Sequence, residues 1–282
     1  MPPTFGIYLP QTQRGYPELL ELAVGAETCG FEAVWFMDHL ALPGRRGGAL
    51  EGWTVAAAVA ARTSRIRIGH LVLCAAFRPP ALLGRMAVTL DQISEGRLNL
   101  GLGWGSSPSE LTGLGLSHDP PRIRREKLGE TIEIVRAMAT GASVDYEGEH
   151  FTVRDAMAGP PAVQQPVPLY IGGTGPKTME LVRQRADWWN CWAPDRHRLP
   201  DLIPLAGPAR VSVNYSMAFS RQVVPHDQAL IGPPQMIAEE LRADRLLGVE
   251  HFVIQMMDPA GGVRDLERFM DKVAPAIIDA AR

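Results

Sequence analysis

Asp38 and His39 stand side by side at the end of the apolar run 33–39. An adjacent carboxylate and imidazole can orient a ring, donate to a carbonyl oxygen or relay a proton. The same pair also suits a turn cap beside a wall histidine, but its place at the end of a β-rich run favours chemistry. A second group is Gly172, Gly173, Thr174, Gly175, Pro176, Lys177 and Thr178, which follows the run 168–173 and opens a helical stretch. Glycines let backbone N–H groups approach an anion, a helix N-terminus supplies positive potential, and Lys177 and Thr178 add a charge and a hydroxyl. The spacing is neither Walker A nor GxGxxG, and a tight turn calls for small residues equally well. Lys177 tips the reading towards phosphate. A third group is GLGWGSSPSE, 101–110. Its alternating glycines admit either a flat ring on the backbone, with Trp104 as wall or lid, or close strand packing. Gln11, Trp104, Trp192, Asn214 and Met257 also lie at ends of β-rich runs and are candidates for a substrate pocket. Trp and Met suit an apolar, adaptable wall, although core packing explains Met as readily. His70, inside a run, reads as a core imidazole.

Those groups need a scaffold that gathers strand ends. Eight β-rich runs alternate with helical patterns: 5–10, 33–39, 66–74, 97–104, 168–173, 188–193, 210–217 and 251–257. Their near-continuous apolar character suits parallel strands covered on both faces. Helical periodicity is carried over 16–29, 123–139 and 263–281, with Gly30, Gly141 and Gly248 as stops. This alternation predicts an α/β fold, a (β/α)8 TIM barrel, spanning 1–282 as a single domain. A doubly wound sheet would need a glycine fingerprint at the first βα turn, where the chain reads LPQTQRGYPE. Two irregularities are expected: an insertion between strands four and five, with 145–153 as a small hairpin, and a reduced region at 195–208 between strands six and seven. In such barrels the chemistry sits at the C-terminal strand ends.

Composition narrows the partners. The chain has 282 residues, 28 Lys+Arg against 31 Asp+Glu and a net charge of −3. That balance offers no basic footprint for nucleic acid and no polybasic arm for a membrane. No apolar run reaches the roughly 20 residues of a spanning helix, and the first residues lack the pattern of a secretory leader. Cys29, Cys74 and Cys191 are an odd, widely spaced set that reads as reduced thiols of a cytoplasmic protein. None of the seven histidines stands at ligand spacing, so no metal is expected.

Taken in order, GFEAVWFMDHL, TSRIRIGHLVL, RPPALLGRMAVTLDQISEGRLNLGLGWG, the R-x-x-K-L-x-E-T-I of 124–132, YEGEHF and PLYIGGTGPKTMELVRQRADWWN resemble the luciferase-like flavin and deazaflavin oxidoreductases. The Asp-His pair after strand two is similar to the branch that uses coenzyme F420. The resemblance implies that Asp38 and His39 face the deazaflavin ring and that Leu71–Val72 forms a non-prolyl cis peptide behind it. It also implies that Gly105 and Ser106 line the ring's edge and that Thr174 to Thr178 bind the cofactor phosphate. The branch's sugar-phosphate dehydrogenases carry an acid/base glutamate where this chain has Ser106, and their sugar-phosphate lysines find no counterparts. A sugar phosphate is therefore a poor substrate, and a small, apolar organic molecule a better one. With Ser106 in place of the glutamate, His39 is left as the catalytic proton carrier. The expected activity is hydride transfer between F420 and such a substrate. The alternatives are an FMN-dependent monooxygenase fed by a separate reductase, and a cofactor-binding protein without turnover. The resemblance further implies a homodimer.

Overall fold

The computed structural model describes residues 2–12, 14–41, 48–105, 107–156, 159–258 and 260–279. The fold is α/β, a (β/α)8 barrel, whose strand order is β11–β10–β12–β1–β2–β3–β5–β8–β9 with β4 on β5 and β9 also paired to β10. Two compact units divide the chain, one formed by residues up to Pro10, Tyr16–Trp35 and the stretch from Gly172 on, the other by Gln11–Gly15 and Phe36–Ile171.

In the first unit, β1 (Thr4–Tyr8) is followed by α1 (Tyr16–Cys29) and the start of β2 (Ala33–Phe36). The later strands are β9 (Trp188–Trp192), β10 (Arg210–Phe219), β11 (Ala229–Gly232) and β12 (Val249–Met256). β1 runs parallel to β12, with Thr4 opposite His251 and Ile7 opposite Ile254. β10 pairs with β9, β11 and β12 along its ten residues. Apolar residues on both faces of these strands are buried, as continuous runs require. Behind them Phe252 stacks on Tyr215, and Phe5, Phe31 and Phe269 pack ring on ring. The helices here are α6 (Pro176–Arg185), the four-residue α7 (Leu199–Leu202), α8 (Pro234–Leu247), α9 (Gly262–Lys272) and α10 (Ala274–Asp279). Between β9 and β10 only α7 and two short 3-10 turns remain, the reduced region expected from the Pro-rich sequence. The periodic stretch 263–281 is two helices, because Pro275 cannot donate an N–H to a continuing ladder and α9 stops before it.

In the second unit lie α2 (Gly52–Ala60), β3 (Arg67–His70), β4 (Leu73–Cys74), α3 (Pro80–Ile93), β5 (Leu98–Gly103), α4 (Pro108–Gly113) and α5 (Pro121–Ala139). They are followed by β6 (Val144–Glu147), β7 (Thr152–Ala156) and β8 (Leu169–Gly172). The insertion is the antiparallel hairpin β6–β7. Val144 packs against Ile134 and Met138 of α5, and Glu130 accepts the N–H groups of Glu149, His150 and Phe151 at the hairpin's turn. The run 66–74, expected as one strand, is two. Gly69 lies opposite Asn99 and Leu73 opposite Leu102, four steps against three, so one residue bulges out. The Leu71–Val72 peptide there is cis. Among the described residues no helix is long and apolar enough to cross a membrane.

Candidate active site

The end of β2 is built around two buried carboxylates. Asp38 is 3% exposed. Its Oδ2 accepts the Cys74 N–H at 2.8 Å, and Arg78 closes a fork on both oxygens at 2.8 Å each. Arg78 also donates to Glu51 at 2.8 Å. Burial alone would raise Glu51, but N–H groups of Thr54 and Trp53 and the Arg78 charge outweigh it and hold the carboxyl below its ordinary value. Asp38 thus ties β2 to the β4 turn. Gln11, 1% exposed, spends its amide on Met37, with Nε2 donating to the Met37 oxygen at 2.8 Å and Oε1 accepting the Met37 N–H at 3.0 Å.

His39 is different. Its side chain is 38% exposed, and Nδ1 lies 2.7 Å from Oε2 of Glu110, whose side chain is 4% exposed. The other Glu110 oxygen accepts the N–H groups of Leu40 at 2.6 Å and Ala41 at 3.0 Å. Glu110 comes from α4, on the loop after β5, so one buried carboxylate fixes both the imidazole and the backbone leaving β2. Glu110 falls within the stretch 101–110, four residues beyond Ser106. Its signal was the single acid in an otherwise neutral loop.

The glycines of β5 serve packing. A methyl group at position 101 would sit 1.9 Å from the His70 carbonyl oxygen, and one at 103 would sit 2.6 Å from Val72 Cγ2. They make room for the bulge that carries Leu71–Val72. Gly105, at φ +79°, accepts from Arg124, whose guanidinium also lies 5.6 Å from the Trp104 ring. Ser106 lies outside the described residues. His70 is fully buried and stacks on Trp53 at 5.4 Å with the rings 3° from parallel. Burial holds its pKa below the ordinary value, so the ring is neutral. Burial likewise lifts the Cys74 thiol to about 11.

In the other unit, Gly173 adopts φ +117°, a backbone that favours glycine, and its oxygen accepts from Trp189 Nε1 at 2.8 Å. Gly175 is the N-cap residue of α6, its oxygen taken by the Thr178 and Met179 N–H groups, and no side chain caps that N-terminus. Thr174 donates to Asp195 at 2.8 Å, and Arg198 reaches Asp195 at 3.0 Å and the Thr174 hydroxyl at 3.3 Å. Against the burial that would raise it, those bonds keep Asp195 below its ordinary value. Lys177 lies on Glu180 at 2.7 Å, with both side chains more than half exposed. Arg198, not singled out from sequence, is thus a second cation at this loop, beside Lys177. Asn214 sits opposite Trp192 in the β9–β10 register. Asn214 is 4% exposed, and its Nδ2 has no partner among the described residues. Trp192 is 49% and Met257 42% exposed, and the Met257 N–H bonds to Met217 at 2.8 Å.

Residues 2–206 match the luciferase-like monooxygenase family. The chain is 35% identical over 182 residues to an F420-dependent glucose-6-phosphate dehydrogenase of Amycolatopsis mediterranei (strain U-32), covering 64% of this chain and 54% of that protein. It spans about half the length of the curated dehydrogenases it matches in this way. An uncharacterized protein of Mycobacterium tuberculosis is 26% identical over 288 residues, 96% of this chain and 97% of that one. Among solved structures, an F420-dependent secondary alcohol dehydrogenase in complex with an F420-acetone adduct has a TM-score of 0.86 at 19% identity, covering 98% of this chain and 99% of that one. The family match covers the larger part of the sequence, and the chain belongs to the luciferase-like monooxygenase family.

Proposed function

We propose that this chain is an oxidoreductase that moves a hydride between coenzyme F420 and a small, largely apolar organic molecule. The observation that carries the reading is His39, a half-exposed imidazole held on a buried carboxylate at the C-terminal end of a barrel strand. A proton must be taken up or released where a carbonyl and an alcohol interconvert by hydride transfer, and this ring is placed to do it. The Asp38–His39 pair and the F420-dependent relatives favour the deazaflavin over FMN.

The residues fit such a cofactor. The uncapped N-terminus of α6 suits a phosphate, and the unpartnered Asn214 amide is a buried donor in need of an acceptor. Trp192 and Met257 leave apolar surface at strand ends. Gly172 to Thr178 would hold the phosphate, while Leu71, Val72 and Gly105 would back the ring. When bound, the deazaflavin supplies the carbon that gives or accepts the hydride; the protein binds, orients and excludes water. Asp38 keeps the β2 and β4 turns together and His39 handles the proton. A sugar phosphate suits this site poorly, because the sugar-phosphate lysines of the resembling dehydrogenases find no counterparts in this sequence and Lys177 lies on Glu180. We place the protein in the cytoplasm as a homodimer that acts on neither nucleic acid nor membrane.

Titration with oxidised and reduced F420 and with FMN, together with oxygen uptake, tests the reading. Tight F420 binding without oxygen consumption is expected. Tight FMN binding with oxygen uptake would make the protein a monooxygenase, and binding without turnover of any carbonyl or alcohol panel would make it a carrier.

A further inference from the structure

We infer that Glu110 is the positioning residue of the site: it locks neutral His39 with its proton on Nδ1, so that Nε2 is the atom that exchanges a proton with substrate. The inference rests on the proposed function only for its last step. Glu110 Oε1 already accepts two backbone N–H groups, from Leu40 and Ala41. Its Oε2 lies 2.7 Å from Nδ1. An ionised carboxylate has only acceptors, so Nδ1 must be the donor. The neutral ring then carries its lone pair on Nε2, for which the described residues supply no partner and which the half-exposed side chain leaves accessible. Because the same carboxylate also accepts the backbone N–H groups of Leu40 and Ala41, the acceptor that faces Nδ1 is itself held in place by two further hydrogen bonds. In the oxidative direction the substrate O–H bond breaks and a bond to Nε2 forms. The O–H electron pair becomes part of the new C=O bond, and the C–H pair is the hydride that a bound oxidised deazaflavin would take up. The resulting imidazolium stays paired to Glu110, as a buried carboxylate stabilises the imidazolium of a hydrolase triad.

Glu110→Gln separates this role from mere support. Its amide oxygen can still accept both backbone N–H groups, while its NH2 must donate to Nδ1 and so drives the ring proton to Nε2. The primary test is long-range 1H–15N NMR of the cofactor-free chain at a pH where imidazole is neutral, with the His39 ring assigned by its loss in His39→Ala. The wild type is expected to show a protonated Nδ1 and a bare Nε2, and Glu110→Gln the reverse, with an unchanged melting temperature. In turnover, Glu110→Gln should lower kcat by about 10²-fold or more while KM changes little. A wild-type ring protonated on Nε2, or a ring unaffected by Glu110→Gln, would overturn the inference. So would a swapped tautomer with normal kcat. If the tautomer swaps as expected but F420 never binds, the functional reading falls and the placement of His39 stands.

Discussion

His39 and Asp38 are neighbours with opposite duties, and substitution should separate them. The His39 side chain is 38% exposed and is held by its hydrogen bond to Glu110, so His39→Ala should lower kcat about 10²–10⁴-fold and change the melting temperature far less. Normal turnover with a collapsed melting temperature would make it a structural residue. Asp38 and Arg78 form a buried fork, with side chains 2% and 11% exposed. Arg78→Leu strands a buried carboxylate and should cost about 3–5 kcal/mol, read by chemical denaturation. The double variant with Asp38→Leu should recover much of that loss, because the unpaired charge goes with it. Against the burial that would raise it, hydrogen bonds from Thr54 and Trp53, with a smaller contribution from the Arg78 charge, hold Glu51 below its ordinary carboxylate range. A depressed carboxyl adds stability that is present above its unfolded pKa and lost as pH falls through its folded one. Arg78→Leu should therefore flatten the acid limb of the stability–pH curve. Sequence exposed the Asp-His pair by type and place alone. It could not show that the carboxylate beside the histidine serves the arginine of FRPP, nor that the histidine's own partner lies 71 residues away.

At the scale of elements, the strands were legible because buried parallel strands are continuous apolar runs, and the hairpin 145–153 because turn residues sit between β-branched ones. The break in 66–74 was not, since a one-residue bulge leaves the apolar pattern intact. Its trace is in β5, where Gly101 and Gly103 face the bulge. Gly101→Ala would place a methyl 1.9 Å from a backbone oxygen that cannot move without its strand, and should cost about 3 kcal/mol or more. Gly129, inside α5 with open space around it, is the contrast: Gly129→Ala should stabilise by roughly 0.5–1 kcal/mol through helix propensity. Thermal melts of the two variants should move in opposite directions. The loop before α6 carries a second contrast. Sequence pointed to Lys177, but its ammonium is shared with Glu180 in an exposed pair, whereas Arg198 touches Thr174. Arg198→Ala should weaken cofactor binding by about 1.5–3 kcal/mol, the worth of a charge-assisted hydrogen bond, and Lys177→Ala by much less. Calorimetric titration at several salt concentrations checks this, and the reverse ranking would return the phosphate to Lys177.

On the scale of the whole molecule, the family match and the folding unit have different ends. The match stops at residue 206, after the reduced region and before β10. Yet β9 takes its register from β10, Trp188 opposite Arg210 and Trp192 opposite Asn214, and β1 takes its register from β12. The N-terminal strand is therefore stitched to residues 251–254, nearly the full length of the sequence away. His251 adds side-chain bonds to that seam: its Nδ1 lies 2.7 Å from the Thr4 hydroxyl, and its Nε2 accepts from Trp35 at 3.0 Å. Such non-local pairing closes late and gains little until both partners are present. A chain ending at 206 would leave β1 and β9 with bare edges and expose the faces of Phe5 and Phe31 that Phe252 and Phe269 cover. Unpaired apolar strand edges of that kind aggregate. The expected outcome is that residues 1–206, expressed alone, give insoluble protein, or at best a species without a cooperative thermal transition. The full chain should instead melt in one transition that reports both ends together. Calorimetry on the two lengths decides the matter, since a cooperative transition from 1–206 would show that the strands after residue 206 are an addition to the fold and not its closing half.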